Sequence, residues 1–303
     1  MTDTQIIAPV PAKAETPFAQ FRAEFFESKI AVGALITLGI VVVLALLAPW
    51  ITPQNPYDLA QVDVMDARLP PGEEAFSGYT MWLGSDGSGR DLFSAILYGL
   101  RISLAVGVAS GVIALFIGTF VGLFAAYVGG RVETLIMRFV DLQLSFPASL
   151  VALMLVALLG KGVDKIILAL VVSQWAYYAR TVRATALVER HKEYVEAAIC
   201  LGLSKARIMF RHILPNCLGP LIVVGTVQVA SAISLEATLS FLGVGLPQTQ
   251  PSLGVLIANG FEYMLSGRYW ISVFPGLALL LTVVSINLVG DHLRDVLNPR
   301  MKK

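Results

Sequence analysis

Residues 189–213 of this 303-residue chain combine charged and small residues in a spacing suited to binding another protein. The distinctive positions are a carboxylate, small side chains and a terminal Leu-Pro pair: Glu196, Ala197, Ala198, Gly202, Leu214 and Pro215. The carboxylate suits a basic partner, the alanines allow close approach, and Gly202 allows a bend. The pattern predicts a helix over residues 192–201 stopped by Gly202, a restart with Ser204 as N-cap, and an end near Pro215. Because the segment is basic, the alternative is an amphipathic helix on anionic lipid.

A second polar cluster lies at residues 84–91, where glycines alternate with ionisable residues. Its candidate site residues are Gly84, Asp86, Gly89, Arg90 and Asp91. This composition predicts a compact turn, and an apolar-faced helix over residues 92–100 follows it. The turn either contacts another protein or braces its own loop, and the sequence leaves both readings open. Asp86 and Ser88 could suggest calcium, but the remaining EF-hand ligands are missing, so no metal is expected there.

Residues 236–268 are apolar but interrupted by glycines and prolines, which predicts an irregular segment that dips partway into the membrane. Irregular backbone at that depth is tolerated only where protein or a water-filled cavity covers it. Glu236, Phe241 and Gly243 are therefore candidate lining residues of a pathway. Glu236 is an ionisable group near the end of a span, which makes it a functional candidate. The alternative is a residue at the membrane interface that reaches water.

Several catalytic patterns are absent from the sequence. The only Gly-Lys pair, Gly160-Lys161, is followed by Gly162 and does not form a phosphate-binding loop. There is no His/Glu zinc pattern and no Gly-x-Ser-x-Gly elbow. Cys200 and Cys217 have no metal-ligand spacing. The chain is therefore expected to bind no ATP, metal or other cofactor itself, and to be no enzyme.

The elements that position these residues are predicted to be membrane helices. The chain is 56% hydrophobic and 14% charged, with a mean hydropathy of +0.74, which is far from the balance of soluble domains. A net charge of +1 gives no reason to expect nucleic acid. Five uncharged runs are long enough to cross a bilayer: residues 30–51, 102–130, 142–160, 213–235 and 269–290. A sixth, residues 162–182, carries charges only near its ends. Two GxxxG pairs in the second run, Gly107/Gly111 and Gly118/Gly122, predict close helix packing.

Lys and Arg predict the orientation of the spans. Residues 180–211 carry seven Lys or Arg, whereas residues 52–100 carry two against seven acids. By the positive-inside rule the first segment is cytoplasmic and the second lies outside. The predicted organisation is a cytoplasmic segment 1–29, a first span 30–51, a periplasmic loop 52–101, and a membrane domain 102–303 that contains the loop 189–213. Both termini are then cytoplasmic.

Glu196-Ala197-Ala198, Gly202 and Leu214-Pro215 together resemble the EAA loop of ABC importer permeases. In that family the loop is a coupling helix, which docks on a cytoplasmic ATPase and transmits its ATP-driven closure to the membrane helices. One departure is His212, where the family has isoleucine. The resemblance implies a coupling role for this loop.

Over residues 18–303 the chain resembles the C-type subunit of dipeptide and oligopeptide permeases, a family that includes nickel permeases. The motifs that carry this resemblance are Leu83-Gly84-Ser85-Asp86-Gly87-Ser88-Gly89-Arg90-Asp91 with Gly99, Arg101 and Ser103 following, Phe146-Pro147, Ser240-Phe241-Leu242-Gly243-Val244-Gly245 and Gly290-Asp291-His292-Leu293-Arg294-Asp295-Val296-Leu297-Asn298-Pro299. His292 and Asn298 replace the usual Gly and Asp. The resemblance implies the type I importer permease fold in the bacterial inner membrane.

It also implies the partners: a B-type permease, two ATPases that use ATP and Mg, and a periplasmic substrate-binding protein. Peptides are the expected substrate, with nickel or glutathione as alternatives. An ion-coupled secondary transporter would need ionisable groups near mid-membrane, and the clear spans carry none. A scaffold protein would not need Glu196 and Gly202.

Overall fold

The computed structural model describes residues 17–76 and 78–297, and its regular structure is helical apart from two isolated bridges, Glu74 with Thr80 and Ser85 with Asp91. The helices of this part of the chain are α1 Pro17–Glu27, α2 Lys29–Ile51, α3 Leu92–Val128, α4 Gly130–Leu144, α5 Ala148–Leu159, α6 Val163–Arg190, α7 Glu193–Cys200, α8 Lys205–Arg207, α9 Leu214–Phe241, α10 Leu253–Phe261 and α11 Trp270–Leu297, with a π-helical segment Ile208–Ile213 before α9 and short 3-10 turns at Leu59–Gln61, Val64–Asp66 and Met264–Ser266. The predicted all-α class is confirmed. The predicted cytoplasmic ends at 1–16 and 298–303, including Asn298, lie outside the described residues.

Four helical stretches of the described residues are long and apolar enough to cross a membrane: α2, α3, residues 205–241 and α11. The bent pair α4 and α5 makes five if it counts as one span. The predicted sixth span lies in α6, whose 28 residues reach about 42 Å. Charged residues near both ends of α6 keep it out of the apolar set. Six spans therefore remain a prediction with which the helix lengths are consistent.

The predicted span over residues 142–160 is not one straight helix. The chain turns by 86° between α4 and α5. Pro147 causes the break, because it lacks an N–H and pushes the residue before it away from helical geometry. The 12 residues of α5 reach only about 18 Å, less than the roughly 30 Å of a bilayer core.

The predicted second span starts earlier than expected. α3 begins at Leu92, where the Asp91 carboxylate accepts a hydrogen bond of 2.8 Å from the Ser94 N–H and caps the helix. The helix expected over residues 92–100 and the span expected from Ile102 are thus one helix of 37 residues. The predicted loop boundary at residues 101 and 102 falls inside it.

Close approaches of α3 to its neighbours build the centre of the bundle. A Cβ on Gly118 or Gly122 would lie 2.4 Å from the Trp175 carbonyl or 2.3 Å from the Ala179 carbonyl of α6. Gly107 and Gly111 lie against side chains of α9 in the same way. Both predicted GxxxG pairs therefore face other helices, because only glycine lets the backbones approach so closely.

The predicted irregular segment after Glu236 is partly helical. α9 continues to Phe241, a turn follows, and α10 then packs on α3, α9 and α11. Ser252 caps α10 by accepting a hydrogen bond of 3.3 Å from the Val255 N–H. This turn and residues 52–91 occupy one end of the bundle, called here the loop end, and α7 lies at the opposite end.

Candidate functional site

The helix α7 forms as the sequence predicts. It ends where Gly202 adopts a positive φ of 67°, and the Gly202 N–H donates to the Ile199 carbonyl at 2.9 Å. The Leu203 N–H reaches back to the Ala198 carbonyl at 3.2 Å, which satisfies a second carbonyl of the last turn. No atom lies within 4 Å of a Cβ placed on Gly202, so its φ alone calls for glycine.

Opposite faces of α7 have different surroundings. Val195 and Ala198 are buried in a cluster with Ile208 and Ile213. Ala198 therefore packs inward, whereas the sequence suggested that it would allow approach from outside.

The other motif residues on this helix, Glu196 and Ala197, are exposed. Sequence reasoning missed the apolar side chains beside them, Ile199 (55% exposed) and Leu201 (79% exposed). Exposed apolar side chains that lie together mark sites of contact with a protein or a membrane. These four residues are called the α7 outer face below.

The helix expected to end near Pro215 continues through it. Residues 205–241 are helical without interruption, and Leu214 and Pro215 lie at the start of α9. The preceding residues 208–213 form a π-helical segment, in which the Leu214 N–H bonds the Met209 carbonyl five residues back. The wider π turn accommodates a proline that cannot donate a backbone hydrogen bond. Ser204 has extended backbone as an N-cap, but its side chain makes no capping bond.

A polar junction ties α7 to the neighbouring helices, and it consists of Glu189, Lys192, Tyr194 and Asn216. The Glu189 carboxylate accepts hydrogen bonds from Lys192 Nζ at 2.6 Å and from the Tyr194 hydroxyl at 2.7 Å. Burial alone raises the pKa of Glu189, but these two donors outweigh it and hold the pKa below the usual value of a glutamate. Burial, with the Glu189 contact, raises the pKa of Tyr194 to about 12. The junction therefore contains a carboxylate and a neutral phenol at neutral pH.

The ionisable side chains of the candidate motif at residues 84–91 are buried and bonded mainly within their own loop. Asp86 and Arg90, both at most 5% exposed, form an ion pair of 2.7 Å between Oδ2 and Nε. Asp86 Oδ1 accepts from the Ser88 and Arg90 N–H groups, and Arg90 donates to the Gln248 carbonyl at 3.1 Å. Of the two readings left open by the sequence, this geometry favours the brace.

Two glycines of the same motif are required by close contacts. Gly89 has a φ of 88°, and a Cβ there would lie 2.0 Å from the Asp63 carbonyl. Gly84, with a φ of 79°, would place its Cβ 2.5 Å from the Leu69 carbonyl. Asp91 is fully buried, and burial raises its pKa against the hydrogen bonds from Ser94. Gly84, Gly89 and Asp91 thus hold the loop together at the start of α3.

The three candidate pathway residues are separated by the structure. Glu236 is fully buried, where its two oxygens accept hydrogen bonds of 2.8 Å from Ser103 and Ser240. Its side chain is not exposed, so the alternative interpretation, a residue at the membrane interface that reaches water, is wrong. Phe241 and Gly243 line a cavity of about 320 Å³ at the loop end.

A larger cavity of about 730 Å³ lies on α6, α9 and α11, toward the end that carries α7. Sequence reasoning did not identify its polar lining, which includes Arg180, Gln228, Ser231 and Arg294. Arg180 pairs with Asp141 of α4, whereas Arg294 has no ion-pair partner among the described residues. The spacing of residues along the sequence shows which of them share a face of one helix. It could not reveal a cavity that three helices form together.

Comparisons with known proteins agree with this fold. Residues 118–303 match the family described as binding-protein-dependent transport system inner membrane component, and residues 16–71 match the N-terminal TM domain of oligopeptide transport permease C. The chain belongs to this family of multi-pass ABC importer permeases, as the sequence predicted. A membrane subunit of this class is not itself an enzyme.

Two relatives that match nearly the whole chain are named as permeases for short peptides. The dipeptide transport system permease protein DppC of Escherichia coli (strain K12) is 41% identical over 305 residues, which cover 100% of this chain and 99% of the relative. The di/tripeptide transport system permease protein DppC of Pseudomonas aeruginosa (strain UCBPP-PA14) is 37% identical over 302 residues, covering 99% and 96%. An inward-facing structure of the MetNI methionine ABC transporter superposes with a TM-score of 0.55 at 20% identity, covering 67% of this chain and 96% of that one. This last similarity concerns the fold alone.

Proposed function

We propose that this chain is one of two membrane subunits of an ATP-driven importer of peptides in the bacterial inner membrane. Its partners would be a B-type permease, two cytoplasmic ATPases that bind ATP and Mg, and a periplasmic substrate-binding protein. The observation that carries the proposal is the α7 outer face, presented at the opposite end of the bundle from the 52–91 loop. The names of the full-length relatives support peptides as substrate.

The α7 outer face suits an ATPase partner because it combines Glu196 with exposed apolar side chains and small Ala197. Val195 and Ala198 on the other face join α7 to residues of the membrane helices. A displacement of α7 by an ATPase would therefore press directly on the start of α9. Both termini and α7 would be cytoplasmic in this arrangement, because basic residues accumulate there.

The large cavity on α6, α9 and α11 suits the wall of a translocation pathway that a second permease completes. Its lining mixes apolar side chains with Gln228, Ser231 and Arg294. Such a mixed wall tolerates a polar, zwitterionic substrate better than a purely apolar one. Phe241 and Gly243 would border the same pathway at the loop end, while the buried Glu236 would act only by holding helices together.

The external docking surface is proposed to lie on exposed residues of the 52–91 loop rather than on the buried motif. Met65, Phe76 and Trp82 are each at least 70% exposed. The motif from Gly84 to Asp91 would support this surface from below. The cycle then begins with docking of the loaded binding protein, continues with ATP-driven closure that moves α7 and opens the pathway outward, and is reset by hydrolysis.

Two alternatives remain distinct from peptide import. Nickel or glutathione would use the same permease architecture, and the binding protein would select among these substrates. An ion-coupled secondary transporter is less favoured, because Glu236 is sealed by serine hydroxyls and no other carboxylate lies in α9.

The test is uptake by membranes that contain this chain, its candidate permease partner, the ATPases and the binding protein. We expect ATP-dependent uptake of a labelled dipeptide, with nickel and glutathione as parallel substrates. Glu196→Lys should lower uptake more than tenfold and release the ATPase in a pull-down, because it reverses a charge on a docking face. Asp164→Lys, an exposed charge reversal near the loop end, is the matched control.

Gly202→Asp tests the bend in the same assay. Gly267 has a similar φ of 79° and equally open surroundings, so Gly267→Asp controls for backbone strain. Uptake should fall only for the Gly202 variant. Unchanged uptake in both Glu196→Lys and Gly202→Asp would contradict the coupling role of this loop.

A further inference from the structure

Three helices meet at one hydroxyl group, that of Tyr194 on α7. The hydroxyl donates to Glu189 Oε2 of α6 at 2.7 Å and accepts from Asn216 Nδ2 of α9 at 3.1 Å. The neighbouring groups are also bonded, because Lys192 Nζ holds the second Glu189 oxygen at 2.6 Å. Asn216 Nδ2 further donates to the His212 carbonyl, inside the π-helical segment, at 2.8 Å.

The inward face of α7 contacts the bundle through apolar side chains. Val195 and Ala198 pack on Ile208 and Ile213, and such packing has no preferred direction. Hydrogen bonds do have one, since they weaken steeply when their angle changes. The Tyr194 hydroxyl, which bonds residues of both helices, therefore orients α7 relative to α6 and α9.

Neither motif spacing nor the EAA resemblance assigns this residue a role. Its hydroxyl points away from the α7 outer face and into the chain, toward Glu189 and Asn216. A hydrogen bond to a charged group shifts a two-state equilibrium by about tenfold or more. Loss of the hydroxyl would thus uncouple movement of α7 from movement of α6 and α9 without altering the surface on which an ATPase docks.

We propose that Tyr194 is a positioning residue that transmits the displacement of α7 to α6 and α9 during transport. This inference rests on the proposed coupling function. It deepens that function by separating ATPase docking, performed by the α7 outer face, from transmission, performed by the Tyr194 junction. In this scheme, Tyr194 is also connected to the π-helical segment at residues 208–213. Asn216 makes the connection, because it bonds both the Tyr194 hydroxyl and the His212 carbonyl.

The test compares Tyr194→Phe with Tyr269→Phe in the complete importer. Both changes remove one hydroxyl and keep the ring, and Tyr269 lies at the loop end. For Tyr194→Phe we expect the ATPase to co-purify normally and ATP to be hydrolysed, while substrate transported per ATP falls roughly tenfold. Asn216→Leu, which removes the other side of the junction, should act in the same direction. Tyr269→Phe should match the wild type.

A second readout needs no substrate. A spin label on the exposed native Cys200 of α7 reports how firmly that helix is held, while Cys217 is buried. The label should become more mobile in Tyr194→Phe and Asn216→Leu but not in Tyr269→Phe.

The two readouts together decide the inference. If the wild type imports substrate, reduced transport per ATP with increased label mobility supports it, and a change in only one of them, or in neither, overturns it. Failure of the proposed function would show differently, as a wild type that imports no substrate. In that case an unchanged label spectrum in Tyr194→Phe would still overturn the positioning role, and a mobile one would support it.

Discussion

The Glu236 carboxylate of α9 accepts a hydrogen bond of 2.8 Å from the Ser103 hydroxyl of α3, 133 positions away in the sequence. A second hydroxyl, from Ser240, occupies the other carboxylate oxygen. The contact joins two membrane helices near the loop end, in a place that water does not reach. Glu236 is therefore a structural tie between helices rather than an exposed lining residue.

Ser103→Ala should destabilise the folded chain by about 1–3 kcal/mol, because one buried carboxylate oxygen loses its partner. Ser266→Ala removes an exposed hydroxyl and should have little effect. The apparent unfolding temperature in detergent can be followed with a thiol-reactive fluorophore after the exposed Cys200 has been blocked, since Cys217 is buried in the folded chain. Equal unfolding temperatures for the two variants would contradict the tie.

Gly89→Ala should destabilise the 52–91 loop much more than Gly72→Ala. Both glycines have a φ of 88°, so the backbone strain of about 1–2 kcal/mol is shared. Only Gly89 lies against a carbonyl, whereas nothing lies within 4 Å of a Cβ on Gly72. Limited proteolysis of the loop measures the difference. Similar cleavage rates would mean that the Asp63 contact does not constrain Gly89.

Gly122→Ala should weaken the packing of α3 on α6, because the added methyl group would lie 2.3 Å from the Ala179 carbonyl. Overpacking of this kind costs about 1–3 kcal/mol. Gly39→Ala, in α2 where nothing lies within 4 Å, should be neutral or stabilising. Apparent unfolding temperatures of the two variants provide the comparison. A neutral Gly122→Ala would show that these helices can separate without cost.

Acid should loosen the polar junction. Against the effect of burial, the hydrogen bonds from Lys192 and Tyr194 hold the pKa of Glu189 below its value in the unfolded chain, so its contribution to stability is present above the unfolded value and is lost as the pH falls through the lowered one. The mobility of a spin label on Cys200 should stay constant from neutral pH down to the usual pKa range of carboxyl groups and rise as the pH falls further. Glu189→Gln should remove this pH dependence. If Glu189→Gln shows the same rise in label mobility at low pH, a group other than Glu189 causes that rise.

The helical class, most spans and the ends of α7 were predictable because they depend on neighbouring residues. A long uncharged run has one stable form in lipid, and a glycine after a short helix favours the positive φ found at Gly202. The bend at Pro147 was missed because the surrounding residues are apolar on both sides. The continuation through Pro215 was missed because a π turn, not the local sequence preference, accommodates the proline.

The candidate residues show the same division. Residue types indicated the α7 motif and both GxxxG pairs, yet not that Ala198 faces inward while Ile199 and Leu201 face outward. The motif at residues 84–91 allowed two readings until Asp86 and Arg90 were found bonded within their own loop. Arg294 and Gln228 gave no local signal, since the cavity they share exists only between helices.

The sequence by itself determined that this chain is helical, spans a membrane and belongs to a permease family, because these properties follow from hydropathy and short motifs. Only the tertiary structure decided which residues meet: Ser103 with Glu236, Arg90 with Gln248, and Tyr194 with both Glu189 and Asn216. The reason is physical. Local spacing determines which face of a helix a residue occupies, but the partner on that face depends on how distant helices pack.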